Sequence, residues 1–500
     1  MRQKQCIMKK PVGRRALICV FILLCAVWTL WGIVRKPSYA VQAYSQAERK
    51  QFAEGMNDHR LSAVLHEADG TLAVTHEIDF TNRTENVLPD LVLRTYANAF
   101  LTEETSPAAI DEVYDSAYRS GFSAGGLELM GVWWQGKPVS HAYEDGAKTV
   151  LRVDTGAMQP GDHGTLKMMY VLSVPECAYR FGRTETAWQI GNAIPVLSVW
   201  QDGEWRKDAY SPIGDPFISE SANWSLHIQL PEGMTPASSA ALQKGADGIW
   251  QGEVLCARDL ALSCSRGYRQ WEKQSGDVQI RVLTASDQGK KALNISEKVL
   301  ETLCALYGKY PYDTLTVAQI DFPFGGMEYP GLVMVDDSYF TAKDDALELL
   351  LAHEIAHQWF YALAGSDGVN QPWQDEALCQ WAVLRYVGTR YGKDSETNLR
   401  YYYVDAPMQE NGLEALTPGC PVHYFGDYAS YDSVVYGRGC ALLYALDAFT
   451  DGGMDACLKA YCHLDPFGLY TRSDFEHAVA AFSGKDSLPL IMDYLDTRMQ

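Results

Sequence analysis

His353, Glu354 and His357 stand in the run His353-Glu-Ile-Ala-His357, and Glu376 follows the second histidine after eighteen residues. On an α-helix, residues four apart lie about 6 Å apart along the axis and nearly on one face, so both imidazoles reach toward one ion. A carboxylate returned by the next helix supplies a third ligand and leaves one position for water. That donor set belongs to catalytic zinc, since structural zinc sites are closed and usually rich in cysteine. Zinc lowers the pKa of its water to about 7, and Glu354, beside both histidines, is placed to take the proton as the water attacks a carbonyl. The competing arrangement is an amphipathic helix with its histidines in solvent. Leu349, Leu350, Ile355, Trp359 and Phe360 surround the motif and argue against it.

The elements that must position these residues are legible on both sides. Asp345 and Glu348 form a capping-box-like start, Ala346 to Ala364 follows as one helix, and Gly365 supplies the stop. A second helix runs from about Asp375 to Tyr391, and helical signals continue to the C-terminus. Upstream, Ala285–Tyr307 is helical by periodicity and Leu315–Ile320 reads as a strand. The loop 322–331 (Phe-Pro-Phe-Gly-Gly-Met-Glu-Tyr-Pro-Gly) comes next, then a second β run over Leu332–Val335. Before residue 270 strand signals dominate. Arg60–Glu67 and Thr71–Phe80 flank an Ala68-Asp69-Gly70 turn, and the second alternates Leu72, Val74, His76, Ile78 and Phe80 as a half-buried strand should. Short β stretches at Thr149–Val153, Leu166–Val174, Trp224–Leu230 and Val278–Leu283 extend the pattern, which predicts a β-sandwich.

These residues resemble the aminopeptidase N family of gluzincin metallopeptidases, which also includes leukotriene hydrolase. That family carries HExxH, eighteen residues, then Glu, here His353-Glu-Ile-Ala-His357 and Glu376. Its upstream GxMEN loop is matched at four of five positions by Gly325-Gly326-Met327-Glu328, and its YxKG motif by Tyr436-Gly437-Arg438-Gly439. The resemblance covers roughly residues 270–450. It implies a thermolysin-like α/β domain with one zinc per chain on His353, His357 and Glu376, and Glu354 as the base. It also implies that Glu328, in a loop shaped by Gly325, Gly326 and Met327, pairs with the free α-amine of a peptide. Tyr436 would donate to the oxyanion, with Tyr431 a weaker second candidate. The sequence departs from the family at Tyr329 for the usual Asn, at Arg438 for Lys, and at Asp375 for the Asn beside the glutamate ligand. With 64 residues after Tyr436, the expectation is a short form without the family's large helical C-terminal domain, and hence a more open cleft. The implied function is aminopeptidase. The runner-up is a gluzincin endopeptidase of the thermolysin type, and the rival from another class is a non-catalytic peptide-binding module that has kept the fold.

Charge and hydropathy set the surroundings. Residues 1–36 hold eight basic side chains and no acidic ones, which leaves 34 Lys and Arg against 63 Asp and Glu beyond them, a formal −29. So acidic a body excludes nucleic-acid backbone binding. Ala16 to Val34 is an uncharged apolar run of nineteen residues, near the length that spans a bilayer. With six positive charges before it, the expected arrangement is a cytoplasmic segment at 1–15, an anchor at 16–34 and a stalk at 35–58. A β-sandwich at 59–270 and a zinc-peptidase domain at 271–500 would then lie outside the cytoplasm. A cleaved signal peptide, giving a secreted protein, is the alternative. Of twelve cysteines, Cys256 with Cys264 or Cys457 with Cys462 are candidate disulfides, while Cys379 and Cys440 read as buried thiols.

Overall fold

A computed structural model describes residues 40–343 and 345–497. The apolar run 16–34, and with it the anchor or signal peptide, lies outside the described residues. Among the described residues, no helix is long and apolar enough to cross a membrane.

The compact unit begins at Val41, well inside the segment expected to be a stalk. Val41 and Tyr44 are buried, Ala43 bridges to Tyr310, and helix α1 (Gln46–Ala53) is closed by a Ser45/Glu48 capping box. Arg49 ties this helix to Tyr44 and to Asp313, 2.8 and 2.6 Å away. Glu48 of the same short polar helix pairs with Lys309 at 2.6 Å, and the Tyr44 hydroxyl meets His463 Nδ1 at 2.5 Å.

The β-rich N-terminal part is built on one eight-stranded sheet. Its strands are β1 (Asp58–His66), β2 (Thr71–Thr81), β3 (Gly126–Trp134), β4 (Lys137–Pro138), β5 (His163–Ser173), β6 (Ala222–Gln229), β7 (Gln243–Lys244) and β8 (Trp250–Ala257). They lie in the order β7-β8-β6-β1-β2-β5-β3-β4. β1 and β2 form the antiparallel hairpin expected from the sequence, with Gly70 in the left-handed conformation at its turn. β2 buries alternate residues along its whole length, so its inward set is fixed by the pleat. Two four-stranded sheets and a two-stranded hairpin (Trp200–Gln201 with Glu204–Trp205) complete this part, rather than one simple pair of facing sheets.

A five-stranded sheet follows: β9 (Arg269–Ser275), β10 (Val278–Thr284), β11 (Thr314–Ile320), β12 (Gly326–Tyr329) and β13 (Leu332–Asp336), in the order β9-β10-β11-β13-β12. β10, β11 and β13 run parallel and are almost wholly buried, as strands covered on both faces must be. β10 and β11 are linked through helix α2 (Gly289–Tyr307). The stretch 322–331 is not all loop, because Gly326–Tyr329 pairs antiparallel with β13 as the edge strand β12. The Pro330-Gly331 corner that reverses the chain, with Gly331 at φ 71°, outweighs the loop-like composition.

Helix α3 (Ala346–His357) carries the HEIAH run and passes into a wider π-helical turn over Gln358–Leu363, so the α-helix ends earlier than the pattern predicts. The expected capping box is absent. Asp345 makes no side-chain cap, and Glu348 accepts the hydroxyls of Tyr386 and Tyr391 on helix α4 (Trp373–Tyr391). Gly365 lies against the buried guanidinium of Arg258, which a Cβ would strike. Arg258 donates to carbonyls of Ser219, Tyr361, Phe467 and Gly468, tying the β-rich part to the turn after α3 and to the C-terminal helices. Each buried carbonyl left without that donor would cost about 1–3 kcal/mol.

The nine described cysteines are all free thiols, eight of them buried. Neither expected disulfide is present. Cys256 turns its sulfur to the carbonyl of Arg49 (3.6 Å), and Cys264 sits within its own four-stranded sheet. Cys379 and Cys440 are buried thiols, as expected.

Candidate active site

α3 and α4 pack side by side and bring three donor atoms together. Nε2 of His353 and Nε2 of His357 lie 3.1 Å apart. Oε2 of Glu376 lies 3.2 Å from the first and 3.5 Å from the second. Such a huddle of two imidazoles and a carboxylate, with all ligand atoms within 4.8 Å, fits a divalent cation of the zinc type. Asp375, one residue before Glu376, accepts the Nδ1 proton of His357 at 2.5 Å. That bond leaves Nε2 as the free lone pair aimed at the cation position, and it makes the imidazole a better donor. The position read in the sequence only as a departure is therefore a support for the ligand set. Burial alone would lower the pKa of His357, but the Asp375 carboxylate raises it on balance. His353 has no such partner; burial and the neighbouring His357 hold it well below the ordinary histidine value.

Glu354 is 95% buried beside the histidines, and its Oε2 has no hydrogen-bond partner among the described residues. Burial, reinforced by the charges of Asp215 and Asp375, pushes its carboxyl well above the ordinary range. A divalent cation at the three donors would pull it back down. Gly326 on β12 faces it so closely that a Cβ there would fall 2.4 Å from Glu354 Oε1. Glycine is thus required at 326 by the Glu354 side chain itself. Gly325 takes φ 95°, where a side chain is strained, and Met327 is buried in the cleft lining.

Glu328, two residues along the edge strand, faces the same cleft, and no hydrogen bond or ion pair among the described residues engages its carboxylate. Burial raises its pKa well above the usual value, with Asp215 the strongest neighbouring charge. Tyr436 stands on a π-helical turn over Asp432–Arg438, its ring stacked on His353 at 5.6 Å and 26°. Burial and the nearby Glu376 carboxylate raise its pKa far above 10, so it is a neutral phenol able to donate. Tyr431 also lines the cleft, edge-on to Tyr436 at 5.8 Å. The two other departures point away. Tyr329 is buried with its hydroxyl on Asn192 (2.9 Å), and Arg438 donates to the carbonyls of Glu410 and Leu413. Neither lines the cleft.

The cleft measures about 720 Å³. Its lining brings in residues that no spacing in the sequence marks: Arg180, Asp215, Phe324 and Tyr428. Arg180 is its one Lys or Arg among the described residues, against carboxylates that include Asp215, Glu328, Glu354 and Glu376.

Residues 291–494 match the peptidase family M1 domain. The chain is 24% identical over 339 residues to the aminopeptidase N of Lactococcus lactis, an alignment covering 61% of this chain and 38% of that protein. It is 28% identical over 218 residues to the leukotriene A-4 hydrolase of Xenopus laevis, covering 40% and 34%. The match to the probable aminopeptidase 2 of Sulfurisphaera tokodaii covers 46% of the chain and 31% of that relative, so these alignments span well under half of the curated proteins. Among solved structures, a mutant M1 zinc metallopeptidase of Deinococcus radiodurans shares the fold at TM-score 0.60 and 14% identity, over 90% of this chain and 96% of that one. A two-domain M1 zinc metallopeptidase bound to L-arginine matches equally well, at TM-score 0.60 and 15% identity, covering 89% and 94%.

Proposed function

We propose that this chain is a zinc-dependent aminopeptidase that removes N-terminal residues from peptides. The observation that carries the reading is the convergence of His353, His357 and Glu376, with an unpartnered oxygen of Glu354 buried beside them. When bound there, zinc supplies Lewis acidity and brings water close to ionisation at neutral pH. Glu354 takes the proton from the attacking water and returns it to the leaving amine as the peptide C–N bond breaks. Tyr436 donates to the oxygen on which negative charge develops, a bond strongest in the transition state. Glu328 holds the free α-ammonium, and its fixed place on β12 admits one residue between that amine and the scissile bond. Without this anchor the same ligands would serve a thermolysin-type endopeptidase.

The test is an assay of the purified full chain on aminoacyl substrates and on N-acetylated peptides, before and after chelation. Turnover of free-amine substrates that is lost on chelation and restored by zinc is the expected result. Equal turnover of the acetylated peptides would favour the endopeptidase, and zinc binding without any turnover a peptide-binding module.

The reading extends to place. The apolar run Ala16–Val34 behind a basic N-terminus supports a membrane tether with the catalytic part outside the cytoplasm. Recovery of the protein in carbonate-washed membranes with its N-terminus intact is expected. A soluble product beginning near residue 40 would identify a cleaved signal peptide instead.

A further inference from the structure

β12 is an edge strand, paired only with β13 among the described residues, and its Gly326, Met327 and Glu328 line the cleft. A cavity of about 10 Å³ lies behind Glu328, bounded in part by Asn192 and Tyr329, so packing alone does not hold the carboxylate forward. Two ties supply the hold. At the Pro330-Gly331 corner, Gln358 Nε2 donates to the Tyr329 carbonyl at 3.1 Å, and its Oε1 accepts the Gly331 amide at 2.8 Å. That tie joins the strand to the turn after α3. The other runs into the β-rich part. The Tyr329 hydroxyl donates to Asn192 Oδ1 at 2.9 Å, Asn192 Nδ2 donates to Asp259 Oδ2 at 3.1 Å, and Asp259 Oδ1 accepts the Leu260 amide at 2.7 Å. All three residues are buried. A carboxylate only accepts, so the amide must turn its nitrogen to Asp259 and its oxygen to the tyrosine.

The surroundings are fitted to that hydroxyl. A Cβ at Gly191 would run into it. Asn192 sits at φ 50°, a conformation that Asn tolerates and branched residues resist. Asp259 follows Arg258, the buried cation that already binds the β-rich part to the turn after α3. Tyr329 is also where the sequence departs from the Asn of the family it resembles. A tyrosine kept for packing alone needs neither a glycine nor a left-handed asparagine to meet its oxygen.

We infer that Tyr329, Asn192 and Asp259 form a latch that fixes the distance from Glu328 to the His353–His357–Glu376 cluster, with Tyr329 and Asn192 as positioning residues for the reaction. The inference rests on the aminopeptidase reading and deepens it: through the latch, the β-rich part sets the length of residue that fits between amine and scissile bond. An α-amino acid fits that span. A β-amino acid, longer by one C–C bond of about 1.5 Å, does not.

The test measures hydrolysis of alanyl and β-alanyl anilides by the full chain, comparing wild type with Tyr329→Phe, Asn192→Gly and the double variant. Phe keeps the buried ring and loses only the hydroxyl, while Gly removes the amide and still adopts the positive φ without strain. Each single variant is expected to lower kcat/KM for the alanyl substrate about tenfold or more, as a misplacement of the order of 1 Å does. Turnover of the β-alanyl substrate should change less than about threefold, so the preference narrows. The double variant should match the single ones, because both break one chain. In chelated protein, hydrogen exchange at the β12 amides should quicken in all three variants while β11 stays as in wild type, a readout that needs no turnover. A wild-type preference in either single variant, whatever its melting temperature, would show that the chain serves packing only and would overturn the inference. Unchanged exchange at β12 would overturn it too, and so would additive losses in the double variant. In each of those cases the aminopeptidase reading stands. Failure of wild type to distinguish the alanyl anilide from its N-acetyl form would bring down both.

Discussion

The two walls of the cleft are built in opposite ways. On one side, His353, Glu354, His357, Asp375 and Glu376 come from two consecutive helices and twenty-four residues of chain. On the other, Arg180, Asp215, Glu328 and Tyr428 are gathered from segments far apart in sequence. Hydrogen bonds join those segments: Gln189 to the Asp321 carbonyl (2.6 Å), Tyr329 to Asn192 (2.9 Å), Tyr428 to the Pro212 carbonyl (2.8 Å). On the proposed reading, local geometry secures the reaction, and long-range packing secures what the reaction is done to. Substitutions on the helical wall should strike kcat or the metal, while those on the remote wall should strike KM and selectivity.

The sharpest way to break that division is Glu354→Gln. It should keep zinc, measured by elemental analysis of the purified protein, and lower kcat by about 10³-fold or more, the upper range for loss of a general base. Substantial remaining turnover would remove Glu354 from its role. Tyr436→Phe comes next, with kcat reduced about 10²–10³-fold and KM little changed, as for one lost oxyanion donor. Gly326→Ala probes the junction of the two walls, because the new Cβ would press on Glu354 Oε1 from β12. Displacing the base by the order of 1 Å should cost about 10²-fold in kcat. A crystal structure of that variant with Glu354 unmoved would refute the contact. Asp375→Asn should act on the metal, weakening zinc affinity about 10–100-fold, with most activity regained at excess zinc.

The smallest effect lies outside both walls. His59 and His76 are buried side by side in the hairpin of β1 and β2, with their ring nitrogens 3.0 Å apart. Burial, aided for His59 by its neighbour, pulls both pKa values down, that of His76 to about 3. Above the unfolded histidine value of about 6.5 neither state binds the proton and the pair costs nothing. As pH falls from there toward 3, the unfolded chain takes up protons that the native one refuses, so stability declines. Thermal melts from pH 7 to 4 should show wild type losing more than a His59→Gln/His76→Gln variant. Equal slopes would rule the pair out as a source of acid sensitivity.

By itself the sequence marked the candidate ligands His353, His357 and Glu376, Glu354 and Tyr436 beside them, the turn glycines and most strands and helices around them. Each of those is written in local order, as a spacing of four on a helix, an alternation of two on a strand, or a glycine where φ is positive. It misjudged what depends on partners. Glu348 prefers two tyrosine hydroxyls on α4 to its own helix end, and the cysteines stay apart in separate elements. Gly326–Tyr329 becomes a strand only because β13 is there to pair with it, and the polar stretch after Val41 is drawn in by Asp313 and Tyr310. Tertiary structure alone decided that Asp375 orients His357 and that Asp215 and Arg180 face Glu328. Those meetings join positions as much as 148 residues apart, as in Arg180 and Glu328, and no local pattern encodes a contact between chain segments that find each other only when the core closes.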